Sequence, residues 1–196
     1  MPHTLFSIGY ATKAIDEFLA QLLHHGVTVV ADVRSVPYSK VFHDYHRETL
    51  QWHLRSKGIR YVYLGEELGP RSPDDSHYCD DQVQFDRLQA SEPFRRGIER
   101  LLDGMDKGFR IALLCAEKDP AVCHRSLLIG HYLKNALGID IAHIDHTGAL
   151  ETENTLEHRL LAETGVQPDM LSDENDCLEQ AWREQSRRCA YRRPAP

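Results

Sequence analysis

Residues 27–33, Val-Thr-Val-Val-Ala-Asp-Val, are the stretch of sequence that decides the fold. The run is short and apolar enough to be buried on both faces, which is typical of a strand inside a parallel sheet. Further apolar runs occupy residues 4–9, 59–64, 110–115 and 139–144, and helical patterns lie at 13–25, 48–57, 93–107 and 120–137. Because strands alternate with helices, the sequence predicts the α/β class, with an open, mainly parallel Rossmann-like sheet flanked by helices.

The predicted helices carry recognisable end signals. Gly26 and Gly138 stand where a helix closes, a position that favours a glycine in the left-handed conformation. Asp119 followed by Pro120 is typical of a helix start, with Asp119 as the N-cap. Residues 65–91 are polar and contain two prolines, so we predict a long loop or lid there.

The composition limits the class of protein. The chain has 196 residues, of which 41% are hydrophobic and 27% are charged, and its net charge is −7. No run approaches the roughly 18 apolar residues that span a bilayer, so we expect no membrane partner. The acidic balance argues against tight nonspecific binding of nucleic acid, although a local basic patch would still bind it.

We divide the chain into an α/β domain over residues 1–150 and a helical, partly disordered extension over residues 151–196. The extension holds an acidic run at 169–179 and five arginines between 183 and 193. The N-terminal residues lack the features of a signal peptide, and five cysteines without the close spacing of a disulfide scaffold indicate reduced thiols. We therefore expect a cytoplasmic protein.

Polar side chains stand at the carboxyl ends of four predicted strands. In open α/β sheets this edge forms the ligand-binding crevice. The first strand ends at Gly9 and Tyr10, the second at Asp32, Arg34 and Ser35, the fourth at Cys115 and Glu117, and the last at His143 and His146. We therefore expect a functional crevice at this edge of the sheet.

The sharpest pattern is the segment 115–125, Cys-Ala-Glu-Lys-Asp-Pro-Ala-Val-Cys-His-Arg. It runs from a buried strand into the first turns of a helix, whose N-terminal N–H groups suit a phosphate or carboxylate. Arg125 would add a forked contact to such an anion. The same positive field, with His124 beside it, would lower the pKa of Cys115 or Cys123 and favour the thiolate.

A reactive thiol beside an anion pocket is the first chemistry that fits this segment. Cys115 and Arg125 are too far apart in sequence to form the short loop of Cys-based phosphatases. The spacing also leaves open a disulfide between Cys115 and Cys123.

Two other kinds of chemistry also fit. The first is a zinc or iron site, with ligands from Cys115, Cys123, His124 and either His143 or His146. The second is acid–base chemistry without a covalent thiol. In that case the base is Glu117, Asp32 or a histidine, and Arg34 and Arg125 hold an acidic ligand.

Four segments form a recognisable set: Ser7-Ile-Gly-Tyr, Ala31-Asp-Val-Arg-Ser-Val-Pro-Tyr-Ser-Lys, Gly58-Ile-Arg-Tyr-Val-Tyr-Leu-Gly-Glu-Glu-Leu-Gly and Cys115-Ala-Glu-Lys-Asp-Pro-Ala-Val-Cys-His-Arg. Over residues 4–148 the chain resembles the DUF488 family, a domain of unknown function. The resemblance implies a compact α/β domain and no particular reaction. It also implies a signature site formed by Asp32, Arg34, Cys115, Glu117, Cys123, His124 and Arg125. Pro70 departs from the pattern, because the family often has a second glycine there.

We assign catalytic roles to Cys115, Glu117, Cys123, His124 and Asp32, and ligand binding to Gly9, Tyr10, Arg34, Ser35 and Arg125. The leading hypothesis is an enzyme or enzyme-like domain that binds a small anionic ligand, phosphate- or nucleotide-like, and has a reactive thiol. The alternatives are a noncatalytic module that binds nucleic acid or protein through its arginine-rich end, and a Cys/His metal site. We assign no metal, and the sequence does not define the cofactor, the substrate, the reaction type or the oligomeric state.

Overall fold

The strands and helices alternate in the computed structural model, which describes residues 5–167 and 173–194. The strands are β1 (Leu5–Gly9), β2 (Val29–Asp32), β3 (Arg60–Tyr63), β4 (Tyr78–Cys79), β5 (Gln82–Val83), β6 (Ile111–Cys115), β7 (Ala142–Ile144) and β8 (Leu150–Thr152). The α-helices are α1 (Ile15–His24), α2 (Arg47–Ser56), α3 (Gly65–Leu68), α4 (Phe85–Gln89), α5 (Glu92–Asp106), α6 (His131–Leu137), α7 (Glu153–Thr164) and α8 (Glu174–Cys189). Short 3₁₀ turns lie at His43–Tyr45, Asp75–His77 and Pro120–Val122, and a π-helical turn occupies Arg125–Gly130.

In the described residues, six strands form one sheet in the order β3-β2-β6-β1-β7-β8. Every neighbouring pair is parallel except β7 with β8, which is antiparallel and lies at the edge. The strands β4 and β5 pair separately as a small hairpin. This topology confirms the predicted α/β class and the open, mainly parallel sheet flanked by helices.

Apolar side chains cover both faces of the sheet, because successive side chains of a strand point to opposite sides. Val30 and Leu114 pack with α1 and α2, on what we call the α1/α2 face. Ala31 and Leu113 pack with α5 and α7, on the α5/α7 face. The same alternation puts Asp32 on the α1/α2 face and Cys115 on the α5/α7 face, so these two predicted site residues are on opposite sides of the sheet.

Residues 65–91 are folded, so the predicted long loop or lid is wrong. The segment holds α3, the β4–β5 hairpin and α4, and its apolar residues Leu68, Val83 and Phe85 are buried. None of these elements exceeds 5 residues. Elements this short do not produce a helical or alternating pattern that stands out in a sequence.

The predicted continuous helix over 120–137 is interrupted. Its first turn is a 3₁₀ turn, Cys123 is extended with φ −124° and ψ 140°, and the chain then forms the π-helical turn and α6. The predicted end signals are confirmed, since the Asp119 side chain caps the first turn and Gly138 has a left-handed φ of 66°. The break turns Cys123 and His124 towards the end of β6, where a regular helix would not place them.

The described residues after position 150 pack against the rest of the protein. The strand β8 forms the antiparallel edge of the sheet, and α7 begins directly after it. On α8, the Trp182 indole N–H donates to the Leu127 carbonyl at 2.8 Å, and Gln185 Nε2 donates to the Ala121 carbonyl at 2.9 Å. The domain boundary near residue 150 stays a prediction, and β8 lies across it.

Two sequence predictions fall partly outside the described residues. They are the start of the first strand at Thr4 and the acidic run at 169–179, of which residues 169–172 are not described. Among the helices of residues 5–167 and 173–194, none is long and apolar enough to cross a membrane.

Candidate functional site

The carboxyl end of β6 and the loop after it form the candidate site. Cys115 ends β6, and the following loop folds back so that Cys123 and His124 return to the same place. The loop packs closely on the end of β1, where a Cβ atom on Gly9 would lie 1.8 Å from the carbonyl oxygen of Glu117. The glycine therefore permits a close approach that any other residue would prevent.

Four side chains contact one another there, and we call them the thiol site: Cys115, Glu117, Cys123 and His124. The Cys115 thiol donates to Glu117 Oε2 at 2.7 Å, and Cys123 Sγ lies 3.2 Å from the same oxygen. His124 Nδ1 lies 3.5 Å from Cys115 Sγ and 3.8 Å from Cys123 Sγ. Both cysteines are free thiols, so the disulfide that the sequence left open is not formed.

The thiol site is buried except at one side chain. Cys115, Cys123 and His124 are 3%, 1% and 8% exposed, whereas Glu117 is an exposed residue. One carboxylate oxygen of Glu117 nevertheless contacts both sulfur atoms. Glu117 therefore forms the mouth of the site, between the buried thiols and the solvent.

The backbone holds His124 in one orientation. Its Nε2 lies 2.9 Å from the carbonyl oxygen of Val33. Because a carbonyl oxygen only accepts, Nε2 carries a proton and Nδ1 faces the two sulfur atoms. The ring is thereby oriented to take a proton from a thiol.

The environment shifts the two thiols in opposite directions. Burial, the hydrogen bond with Cys123 and the negative charges of Cys123 and Glu117 raise the pKa of Cys115 well above its ordinary value. Burial also acts to raise the pKa of Cys123, but the Cys115 hydrogen bond and the positive charges of Arg125 and His124 lower it well below the ordinary value. Of the two thiols, Cys123 therefore loses its proton more readily, and Cys115 holds its proton more strongly.

The other two members of the thiol site respond to the Cys123 thiolate. Burial of the carboxylate and the charge of Cys123 raise the pKa of Glu117. Burial acts to lower the pKa of His124, but its hydrogen bond with Cys123 and the charges of Cys123 and Glu117 raise it. The site thus favours an imidazolium–thiolate pair beside a carboxyl group that holds its proton more strongly than usual.

Arg125 is fully buried and braces the loop. Its Nε donates to Ser7 Oγ at 3.1 Å, its Nη1 to the Glu117 carbonyl at 2.7 Å and its Nη2 to the Lys118 carbonyl at 3.2 Å. The forked contact that the sequence assigns to an anion is therefore made to loop carbonyls. The charge still acts on the site, because it helps to lower the pKa of Cys123.

Behind Arg125 lies a buried hydrogen-bond network that sequence reasoning missed. Ser7 Oγ is 2.6 Å from His143 Nδ1, and His143 Nε2 is 2.6 Å from Glu153 Oε2. Ser126 donates to the other carboxylate oxygen of Glu153 at 3.1 Å. Glu153 lies just beyond the predicted domain boundary, and no motif in the sequence connects it to the segment 115–125.

Asp32 and Arg34 form a closed pair on the α1/α2 face. Arg34 Nε donates to Asp32 Oδ1 at 2.8 Å and Nη2 donates to Oδ2 at 2.6 Å. Arg34 Nη1 also donates to the Tyr45 carbonyl at 2.9 Å, and the Tyr61 hydroxyl donates to Asp32 Oδ2 at 2.7 Å. The structure does not bring Asp32 to the thiol site, and its catalytic role stays a prediction.

Tyr10 and Ser35, two predicted ligand-binding residues, make contacts within the protein. Tyr10 is buried and stacks on Tyr45 with ring centroids 4.2 Å apart. Ser35 Oγ accepts a hydrogen bond from the Arg71 N–H at 3.0 Å. The ligand-binding roles assigned to Gly9, Tyr10, Arg34, Ser35 and Arg125 stay predictions.

The thiol site also has the composition of a metal centre. Its four donor atoms, one from each side chain, all lie within 4.8 Å of one another. Thiolate, imidazole and carboxylate groups are ligands of zinc and iron. His143 and His146, which the sequence offers as a further ligand, lie elsewhere: His143 bonds Ser7 and Glu153, and His146 is exposed.

Comparisons with known proteins give one family and one distant structural neighbour. The family model described as "Domain of unknown function DUF488" matches residues 14–132, which include the whole thiol site. No curated protein matches the chain. Among solved structures, the chain is similar to the crystal structure of a "Putative phosphatase (DUF442)" from Shewanella putrefaciens CN-32, with 14% identity, a TM-score of 0.40, and coverage of 96% of this chain and 89% of that one.

Proposed function

The chain belongs to the DUF488 family, and we propose that it is an enzyme-like domain that acts on a small anionic ligand through the Cys123 thiolate. The observation that carries this proposal is a contact between two thiols, a carboxyl group and an oriented imidazole. The contact lies at the carboxyl edge of a mainly parallel sheet, where α/β proteins bind their ligands. A purely structural core would fill this position with apolar side chains.

Each member of the thiol site has a separate role in the proposal. Cys123 is the nucleophile, and His124 keeps it deprotonated as an imidazolium–thiolate pair. The Cys115 thiol, which donates its proton to Glu117 Oε2, positions that carboxyl group beside Cys123. Glu117, at the mouth, is the general acid and base.

The chemical step is displacement at an electrophilic carbon, phosphorus or sulfur atom of an ester. A bond forms from Cys123 Sγ to that atom while the bond to the leaving oxygen breaks, and Glu117 gives its proton to the leaving oxygen. Water then attacks the same atom, Glu117 accepts the water proton, and the sulfur leaves as thiolate. The cycle restores both groups and needs no other reactant than water.

The charges around the site support an anionic ligand. Arg125 is fixed behind the loop, the pKa of His124 lies above its ordinary value although burial acts to lower it, and the side chain of Lys118 next to Glu117 is exposed. Once Glu117 holds its proton, the positive charges of Arg125, His124 and Lys118 outweigh the single negative charge of the Cys123 thiolate. An anion is therefore favoured over a cation at this position.

The test is turnover by reduced protein that has been freed of metal with a chelator. We expect hydrolysis of at least one class among phosphate, sulfate and carboxylate esters of nitrophenol. Cys123→Ser should lower kcat/KM by about a hundredfold or more and Glu117→Gln by about a hundredfold. Cys79→Ser is the matched control, because Cys79 is an exposed thiol on the β4–β5 hairpin.

A second measurement follows the thiols directly. With limiting iodoacetamide at pH 7, mass spectrometry should find Cys123 alkylated faster than Cys177 and Cys189, because thiolate is the reacting form. Wild-type turnover in Cys123→Ser would overturn the proposal. Absence of turnover for every ester class, together with slow alkylation of Cys123, would overturn it as well.

The noncatalytic nucleic-acid module receives less support. Of the arginines at the end of α8 and just after it, Arg183 pairs with Glu179, Arg188 with Glu184 and Arg193 with Asp75. A phosphate backbone would have to compete with these carboxylates. We therefore do not propose nucleic acid as the ligand.

A further inference from the structure

We infer that Cys115, Glu117, Cys123 and His124 form a tetrahedral binding site for one thiophilic divalent metal ion of the Zn²⁺ class. The inference rests on the proposed function in one respect, because it concerns the same four side chains. It assigns to them a metal-bound state in addition to the metal-free state described above. In the metal-free chain the sulfur of Cys123 is reactive, and in the metal-loaded chain it is a ligand.

The donor set and its dimensions carry the inference. Two thiolates, one imidazole and one carboxylate are a complete first shell for Zn²⁺. Metal–ligand bonds of about 2.0–2.3 Å place tetrahedral donors about 3.3–3.8 Å apart. The observed separations are 3.5 Å and 3.8 Å from His124 Nδ1 to the two sulfur atoms and 3.2 Å from Glu117 Oε2 to Cys123 Sγ. The contact of 2.7 Å between Cys115 Sγ and Glu117 Oε2 would open by about 1 Å, and the other two donor separations are within 4.8 Å.

The groups around the four donors match those that orient metal ligands. A metal-binding histidine usually donates its other ring nitrogen to a carbonyl or carboxylate, and His124 Nε2 does so to Val33 at 2.9 Å. Two thiolates and a carboxylate exceed the charge of a divalent ion by one negative charge. Arg125, fully buried behind the loop and bonded to the Glu117 carbonyl, supplies the compensating positive charge.

The ligands differ in their freedom to move. Cys115 is fixed at the end of a central strand, and Cys123 and His124 are buried in the returning loop. Glu117 is exposed, so it is the ligand that opens to admit the ion. In the metal-loaded site, a small anion or a water molecule would replace Glu117 at its coordination position. Zinc sites with an exchangeable ligand work in this way.

The experiment is titration of reduced, metal-free full-length protein with Co²⁺ and then with Zn²⁺. We expect one Co²⁺ per chain, with the thiolate charge-transfer absorption and the intense visible bands of a tetrahedral site, and displacement of Co²⁺ by Zn²⁺. Cys115→Ser should abolish the charge-transfer spectrum or weaken binding by at least a hundredfold. Glu117→Gln should weaken binding by at least tenfold, and because Glu117 is exposed this variant tests the site without disturbing the core.

Cys79→Ser and Cys189→Ser are the controls and should bind Co²⁺ like the wild type, since neither cysteine belongs to the thiol site. Circular dichroism of each variant separates loss of a ligand from loss of the fold. No Co²⁺ binding by the wild type overturns the inference. Unchanged binding by folded Cys115→Ser and Glu117→Gln overturns it too.

Alkylation separates this inference from the proposed function. Stoichiometric Zn²⁺ should protect Cys123 from iodoacetamide, whereas metal-free protein should react. If the protein hydrolyses esters but does not bind Co²⁺, the inferred metal site is overturned and the proposed function is not. If the protein binds one Co²⁺ through Cys115 and Glu117 but shows no thiol-dependent turnover, the proposed function is overturned and the inferred metal site is not.

Discussion

The Asp32–Arg34 pair and the thiol site lie at the carboxyl ends of two neighbouring strands, yet they behave differently. In the pair, both carboxylate oxygens and all three guanidinium nitrogens have partners within the protein. In the thiol site, the polar groups contact mainly one another, and Glu117 is partly exposed to solvent while one of its carboxylate oxygens contacts both sulfur atoms. The ion pair has no polar atom left to bind a ligand, whereas the groups of the thiol site can transfer protons and change their hydrogen-bond partners.

The difference comes from the direction of side chains along a strand. Asp32 is the register partner of Leu114, one residue before Cys115. Because alternate side chains point to opposite faces, that single step puts the ion pair under α1 and α2 and the thiols on the α5/α7 face. The carboxyl ends of the strands therefore bring polar residues near one another. The alternation of side chains between the two faces of the sheet determines which of these residues are in contact.

The largest effect should come from breaking the ion pair. Arg34→Met leaves the Asp32 carboxylate buried without its cation, and we expect a loss of about 3–5 kcal/mol in the free energy of unfolding, measured by urea denaturation. Alkylation of Cys123 in the folded fraction should stay at the wild-type rate. Arg96→Met, which removes an exposed pair with Glu92, is the control and should not measurably change stability. A change in Cys123 alkylation would contradict the separation of the two sites.

Gly9→Ala should disturb the thiol site from the end of β1, on which the thiol-site loop packs. The added methyl group would overlap the Glu117 carbonyl, so the loop must move, at a cost of about 1–3 kcal/mol of unfolding free energy. Alkylation of Cys123 should change as well, because its hydrogen bonds depend on the position of this loop. Gly104→Ala is the matched control on α5, where the new methyl meets only the end of the Ile111 side chain. Equal effects of the two substitutions would contradict the role of Gly9.

On the α1/α2 face, Lys13 makes the free energy of unfolding depend on pH. Burial lowers the pKa of Lys13 to about 8, against an ordinary value of 10.5. Between these values the unfolded chain binds more protons than the folded chain, so this contribution to stability rises with pH. The unfolding free energy of the wild type minus that of Lys13→Met should therefore increase by about 2 kcal/mol from pH 7 to pH 10. A difference that is constant or falls with pH would contradict the shift.

The smallest effect should come from the outer support of the thiol-site loop. Arg159 of α7 pairs with Asp119, which caps the loop, and also with Glu151 and Glu163. Because this cluster is partly exposed, Arg159→Ala should cost about 1 kcal/mol, less in high salt. Arg183→Ala, which removes an exposed pair within α8, is the control and should cost less than Arg159→Ala. The reverse order of the two costs would contradict a supporting role for Arg159.

Much of the fold could be predicted from sequence because its signals are local. The strands β1, β2, β3, β6 and β7 are apolar runs, and the turns at Gly26 and Gly138 have the left-handed backbone expected of them. The segment 115–125 also groups Cys115 with Cys123 in one strand–loop–helix motif, although the contact itself depends on the extended backbone at Cys123. Residues 65–91 have no comparable signal, because each of their elements is too short.

The parts that could not be predicted depend on contacts between distant segments. Whether Arg125 faces a ligand or the protein depends on Ser7 and on the loop carbonyls, which the spacing of the motif does not reveal. Glu153 reaches the same network only because β8 and α7 return to the sheet beside β7. The extended backbone of Cys123 likewise interrupts a pattern that reads as one helix.

The strand order has a consequence for how the chain assembles. The first strand, β1, occupies the middle of the sheet, but its partners begin at Ile111 and Ala142, so it has neither neighbour until most of the chain has been synthesised. The pair β2–β3 is more local and can form before them. Closing such long loops is entropically costly and slow, and an unpaired apolar strand is prone to wrong pairing during that time. Because Gly9 ends β1 beneath the thiol-site loop, the site is completed only when β1 and β6 have paired, which in a nascent chain comes after the β2–β3 pair can form.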